Sequence, residues 1–223
     1  MNHLKTILKN STSTLVFLFI LVEGGQQYYQ YLSMMAQENQ TMQIFVAIGQ
    51  LLISLIEFII LAMLIPQRLM ELDAHEPPQS FLAFSKKHIG SLTSEGIRSF
   101  AVSLLWLIVF IIPGILKYIR FFFVPYVVVA DPQYQTGNRD ALEYSNQLVK
   151  GKTLSVLLII VALTALDTVR SMAREHFEFT ASPLPALVIA IFFFFVTIYS
   201  NILLFRYYQN RVKTIEEQAK PHS

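Results

Sequence analysis

The chain of 223 residues contains no cysteine. That excludes disulfides, thiolate metal sites and cysteine nucleophiles. Charge is also scarce, at 14% of residues, where a soluble domain carries about 25%. The net charge of +2 is too small to mark a nucleic-acid partner. Five histidines, His3, His75, His88, His176 and His222, are scattered, and none sits in His-Glu-x-x-His, so no zinc-protease motif exists. Gly24-Gly25 is not followed by Gly-Lys-Ser/Thr, so it is not a phosphate loop. No Ser-His-Asp arrangement can be argued. The sequence therefore assigns no catalytic residue, no metal ligand, no cofactor and no enzymatic activity.

What is present is long apolar runs, with 54% hydrophobic residues. Lys5 and Lys9 precede Leu15–Val22 as in a secretory signal, but no Ala-x-Ala-like site follows. The expectation is a retained first helix. The reading is all-α: one polytopic membrane helix bundle over 1–223. Its segments are 12–35, 42–65, 97–112, 115–130, 153–170 and 183–207. Met42–Ile65 is the cleanest, with 24 residues, where about 20 suffice to cross the hydrocarbon core. Pro66 is expected to end it and Gln67 to open a polar loop. Ser80 to Gly90 reads as a short amphipathic helix, N-capped by Ser80 and stopped by Gly90. A second amphipathic helix is expected over 138–150. Asp140 and Glu143 form its capping-box-like start, and Gly151 suits a C-terminal position with positive φ. Arg174 to Glu178 reads as a charged loop, and the tail after Arg206 as a helix end that frays.

Segments 97–112 and 115–130 flank Pro113-Gly114. If this pair is the tip of a hairpin, six crossings result and both termini lie inside. Thirteen Lys and Arg then face the cytoplasm: Lys5, Lys9, Arg68, Lys86, Lys87, Arg98, Arg139, Lys150, Lys152, Arg206, Arg211, Lys213 and Lys220. Four lie outside: Lys117, Arg120, Arg170 and Arg174. The excess of basic residues in cytoplasmic loops favours this arrangement. Segments 97–112 and 115–130 are short, and such segments must tilt little, thin the bilayer locally or form a hairpin that does not fully cross. Pro113, Gly114 and Pro125 are the hairpin's hinge residues.

Three strings here form a pattern: Ile-Pro-Gly-Ile-Leu-Lys-Tyr-Ile-Arg, Val-Pro-Tyr-Val-Val-Val-Ala-Asp-Pro, and Ala-Leu-Glu-Tyr-Ser-Asn-Gln-Leu-Val-Lys-Gly-Lys. The pattern resembles the YciC-like family of bacterial inner-membrane proteins, related to membrane domains of some glycerophosphodiester phosphodiesterases. The matching positions are Pro113, Gly114, Lys117, Pro125, Tyr126, Asp131, Ala141, Ser145, Lys150 and Gly151. The resemblance covers about 40 residues. It implies a multi-pass bacterial inner-membrane protein and no catalytic residue.

Glu23, Glu57 and Asp167 interrupt apolar segments. An acid there costs roughly 2.5–3.5 kcal/mol on insertion scales, so it faces a polar partner. Lys117, Arg120 and Arg170 are the candidate cations, and Asp167 with Arg170 is the pair suggested by spacing. These residues are either a structural ion pair or part of a transport path. The leading functional expectation is a non-enzymatic membrane protein contacting lipids or a membrane-protein partner in envelope maintenance. The alternative is a small transporter or lipid-handling protein built on hairpin 106–130 and the buried charges.

Overall fold

The computed structural model describes residues 2–35, 39–177 and 181–219. Glu178, Lys220 and His222 lie outside them, as do the side chains of His3, Lys5 and Lys9. Every regular element among the described residues is helical. In chain order these are α1 (Asn2–Phe19), a π-helical turn (Ile20–Gly24), α2 (Gly25–Met35), α3 (Gln40–Ala74) and α4 (Phe81–Val109). There follow α5 (Ile111–Arg120), α6 (Val124–Ala130), α7 (Pro132–Gln135), α8 (Ala141–Val149), α9 (Thr153–His176) and α10 (Pro183–Ala219). Five helical stretches are long and apolar enough to cross a membrane: Gln40–Ala74, Phe81–Val109, Ile111–Ala130, Thr153–His176 and Pro183–Gln218. The chain is an all-α polytopic membrane protein. Its contacts group it into two compact units.

The first unit comprises Met1–Leu61 and Ala165–Ser200. Its buried side chains include Leu15, Leu18, Val22, Val46, Ile53, Phe193, Phe194 and Ile198. Phe19 meets Phe194 edge-on at 5.2 Å. The π turn falls where Glu23-Gly24-Gly25 weakens the α-helical preference, because glycine has little propensity for a helix interior. Glu23 is buried in that turn.

The second unit comprises Ala62–Thr164 and Asn201–Ser223. Its core is Leu64, Ile65, Leu69, Phe123, Val127, Val129, Leu148, Val149, Val156 and Phe205. Phe123, Tyr126, Phe205 and Tyr208 pack their rings together, with centroids 5.5–6.4 Å apart. Such pairs add about 0.5–1.5 kcal/mol each beyond the area they bury.

Several sequence expectations are corrected here. Pro66 does not end α3, which continues to Ala74. A helix-interior proline costs about 3 kcal/mol, and full burial of Leu64, Ile65 and Leu69 around it offsets that. The expected polar loop from Gln67 is two further helical turns. Gly90 does not stop a short helix either. α4 runs unbroken through Gly90 and Gly96, and Ser80 precedes it without a side-chain cap bond. The tail does not fray at Arg206. α10 continues to Ala219, with Arg206 bonded to Asp73 at 2.6 Å and Arg211 to the Leu148 carbonyl at 3.1 Å.

The hairpin exists, but its break is Phe110, in extended conformation (φ −147°, ψ 118°), and not Pro113-Gly114. Pro113 sits in the first turn of α5, where a missing N–H costs nothing. Gly114 lets the two arms approach, because a Cβ there would overlap the backbone of Leu107. The second arm is also interrupted. Phe121–Phe123 form a turn between α5 and α6, and Pro125 lies in the first turn of α6.

This arrangement separates two substitutions that look alike in sequence. Pro113→Ala is expected to leave stability nearly unchanged. Gly114→Ala is expected to cost about 1–3 kcal/mol by pushing the arms apart. Thermal midpoints of the two variants in the same detergent check this, with Gly114→Ala falling clearly below Pro113→Ala.

Candidate functional site

Within the first unit, α2's preceding π turn, α3 and α9 bring four charges together. Arg170 donates from Nη1 to Glu57 Oε1 at 3.1 Å and from Nη2 to Glu23 Oε1. Arg174, one turn further along α9, donates from Nε to Glu23 Oε2 at 3.1 Å and from Nη2 to Glu23 Oε1 at 3.2 Å. Glu23 and Arg170 are more than nine-tenths buried as side chains. The cluster holds two acids and two guanidiniums, so its formal charge is zero. Polar groups line the same helices: Gln26 donates to the Gln50 carbonyl at 3.3 Å and to Ser54 Oγ at 3.2 Å.

Spacing explains why these groups meet. Arg170 and Arg174 are four apart, so they lie on one helix face. The π turn widens the first helix at Glu23, which turns that carboxylate toward them. Taking any one of these charges into a low-dielectric interior costs several kcal/mol unless it is paired and hydrogen-bonded. Fork geometry lets one guanidinium serve two carboxylates, which an ammonium cannot do equally well.

The sequence therefore placed Glu23 and Glu57 in apolar surroundings, and the structure gives both a cation. The suggested Asp167–Arg170 pair does not form. Arg170 is turned to Glu23 and Glu57, and Asp167 is exposed on α9 with no ion pair among the described residues. Arg174 was assigned to a loop. It belongs to α9, whose helix extends to His176. The four-residue spacing from Arg170 was the signal that could have found it.

Lys117 and Arg120 lie in the second unit. Lys117 Nζ stands 5.9 Å from the Trp106 ring centroid and 5.7 Å from that of Phe121. Arg120 is half-buried, and its carbonyl accepts from Ser145 Oγ at 2.8 Å. Neither cation has an ion pair among the described residues.

The remaining motif positions of the second unit form one connected structure. Ser145, fully buried on α8, also accepts from the Phe123 N–H at 3.2 Å, so one hydroxyl closes the Phe121–Phe123 turn. Asp131 accepts from the Gln133 N–H at 2.9 Å and from Arg139 at 2.8 Å. Arg139 lies over the Tyr144 ring at 3.8 Å. Burial pushes the Tyr144 phenol above its ordinary value, with Arg139 opposing. α8 begins at Ala141 and not at residue 138. Asp140 is its N-cap, accepting from the Glu143 N–H at 2.9 Å. Burial raises the Asp140 carboxyl, but the Glu143 N–H and the Arg98 guanidinium outweigh it and hold the group below its usual range. Ala141, Leu142, Ser145, Leu148 and Val149 are all buried, so this face of α8 packs inward. Lys150 is exposed, and Gly151 follows at φ 77° in the left-handed region that glycine tolerates.

The sequence did not reveal a further buried network in this unit. Arg68 bonds Glu71 at 2.6 Å and the Gln79 carbonyl at 3.1 Å. Glu71 also accepts from the Gln79 N–H and from Gln67 Nε2, each at 2.9 Å. These bonds strap the 75–80 connection onto the end of α3.

Among the described residues, no group of three or more acidic and histidine side chains is placed to hold a metal ion. Compared with protein-family models, curated proteins and solved structures, the chain matches none.

The charge cluster predicts an asymmetric response. Arg170→Met leaves Glu57 buried without its cation, and is expected to cost about 3–5 kcal/mol. Glu57→Gln keeps an oxygen that accepts from Arg170, and is expected to cost far less. Unfolding of both variants in mixed micelles, followed by circular dichroism, measures the difference.

Proposed function

We propose that this chain is a multi-pass protein of the bacterial inner membrane, with both termini cytoplasmic and no enzymatic activity of its own. Its role is to hold a membrane-protein partner in the maintenance of the envelope. The thirteen-to-four division of Lys and Arg supports the orientation. The resemblance of the 113–152 region to YciC-like proteins supports the compartment.

One observation carries the interaction reading. Asp167 is exposed on α9, with exposed Thr168 and Ser171 beside it on the same side of the helix. It lies nine residues from the end of α9 at His176, about 14 Å at 1.5 Å per residue. A carboxyl group at that depth does not face lipid tails, because hydrocarbon offers it no hydrogen bond. It needs a polar surface supplied by another chain, and serine and threonine provide interhelical hydrogen bonds at such contacts. The transport alternative is weaker, since the buried charges that would line a path already neutralise one another.

A photocrosslinking residue placed at Ser171 is expected to capture a membrane protein in living cells, and Asp167→Leu to abolish the adduct while membrane abundance stays unchanged. Undiminished capture by Asp167→Leu would remove the role of this face. A reporter fused after Gln218 is expected to be active in the cytoplasm. Activity in the periplasm alone would overturn the orientation.

A further inference from the structure

The part of the α4–α5 hairpin between Arg98 and Arg120 is shorter than a membrane is thick. Gly114 packs on Leu107 and Lys117 reaches Trp106, so the arms are antiparallel about Phe110. Arg98, on the first arm, is 51% exposed and bonds Asp140 at 2.6 Å. That pair and Lys87, which bonds Gln135 at 3.4 Å, place the base of the hairpin in water or headgroups. From Arg98 to Phe110 is twelve residues, about 18 Å of helix. From Phe110 to Arg120 is ten residues, about 15 Å. The hydrocarbon core is about 30 Å thick, so each arm reaches only about its middle.

The composition of the tip agrees. Between Arg98 and Lys117 there is no charged residue. Apart from the Trp106 indole, the polar side chains there are Ser99 and Ser103, and both hydroxyls bond carbonyls of their own helix, at 2.9 and 2.8 Å. At the tip, Ile108, Phe110, Ile111 and Ile112 are 59–73% exposed. A turn that emerged into water would present this large apolar patch to solvent, whereas polar or flexible residues are the usual occupants of such turns. The turn also leaves few backbone donors seeking water. Phe110 N–H bonds the Trp106 carbonyl, Gly114 N–H bonds the Phe110 carbonyl, and Pro113 has no N–H.

The Lys117 amine lies between two rings, 5.7 Å from the centroid of Phe121 on its own arm and 5.9 Å from that of Trp106 on the facing arm. A lysine so placed keeps its stem in hydrocarbon while its charge extends toward the nearer interface.

We infer that α4 and α5 form a one-leaflet insert, a hairpin that dips into the cytoplasmic half of the bilayer, turns at Phe110 among the acyl-chain ends and leaves on the same side. Its occupant surface is lipid tails, with Lys117 and Arg120 at the phosphates of that leaflet. The chain then crosses four times, by segments 12–35 and 42–65 and by α9 and α10. Both termini keep their side. Lys117 and Arg120 move to the inner count, so the division of Lys and Arg becomes fifteen to two, and the two left outside are Arg170 and Arg174. Those two are the guanidiniums neutralised by Glu23 and Glu57. The choice of leaflet rests on the orientation proposed above, but the depth of the tip does not.

The absence of cysteine makes the test clean. Single cysteines are placed at Ile112, Ser182 and Asn138 of the full chain. Intact spheroplasts and inside-out vesicles are then treated with a membrane-impermeant maleimide. The expected result is labelling of Ser182→Cys from outside, labelling of Asn138→Cys from inside, and loss of labelling at Ile112→Cys from both sides. In parallel, the tip's depth is read in bilayers of phosphatidylethanolamine and phosphatidylglycerol carrying brominated chains, with Ile111→Trp in a Trp106→Phe background. Quenching is expected to be strongest with bromines near the chain ends and weak with aqueous iodide. Labelling of Ile112→Cys from outside, or maximal quenching by bromines near the headgroup, would overturn the insert and restore two crossings. Reversal of the Ser182 and Asn138 controls, with the tip still deep, would overturn only the assigned orientation.

Discussion

A charge within hydrocarbon must be neutralised where it stands, and that constraint organises the first unit. Arg170 reaches two carboxylates from two different helices, and Arg174 reinforces one of them. Neither acid can be deleted without leaving a cation less well served. The arrangement fixes the rotation of the π turn, α3 and α9 relative to each other within that unit more sharply than apolar contacts can. Apolar packing tolerates sliding, whereas forked hydrogen bonds do not. Buried ionic groups of this kind contribute little net stability compared with well-packed apolar side chains, but removal of one partner is strongly destabilising because it leaves a buried charge uncompensated.

The second unit meets the same constraint by different means. Its polar groups tie backbone breaks together. Ser145 closes the turn between α5 and α6, Asp140 caps α8, and Asp131 caps α7 while holding Arg139. Glu71 straps the chain that follows α3. The motif residues Asp131 and Ser145 therefore have structural occupations, and none is left as an exposed reactive group. Lys150 is the exception, exposed just past the end of α8.

Composition and the length of apolar runs made the helical membrane class legible, because both period and length are local signals. Asp140 and Gly151 were legible for the same reason, since caps are decided by a few neighbouring residues. Pro66 and Gly90 misled because local helix-breaking preferences of about 1–3 kcal/mol were outweighed by burial along α3 and by burial of His88 and Leu92 on either side of Gly90. Phe110 gave no warning, since nothing in a phenylalanine announces an extended residue between two helices. The pairing of Glu23 with Arg170 and Arg174 spans 147 and 151 residues of sequence, and no one-dimensional pattern specifies such a contact. Composition alone also could not distinguish an apolar segment that crosses from one that turns back.

The π turn at Ile20–Gly24 has a consequence for how this protein can vary. Each residue added to or removed from an α-helix rotates everything beyond it by about 100°. The orientation of the Glu23 carboxylate toward α9 is thus a matter of chain length as much as of residue identity. A lineage that lost one residue from this turn would straighten the first helix and swing α2 around its axis, even with every remaining side chain unchanged. Insertions and deletions here act as a dial on register, so relatives that keep the same acid and the same arginines need not keep the same site.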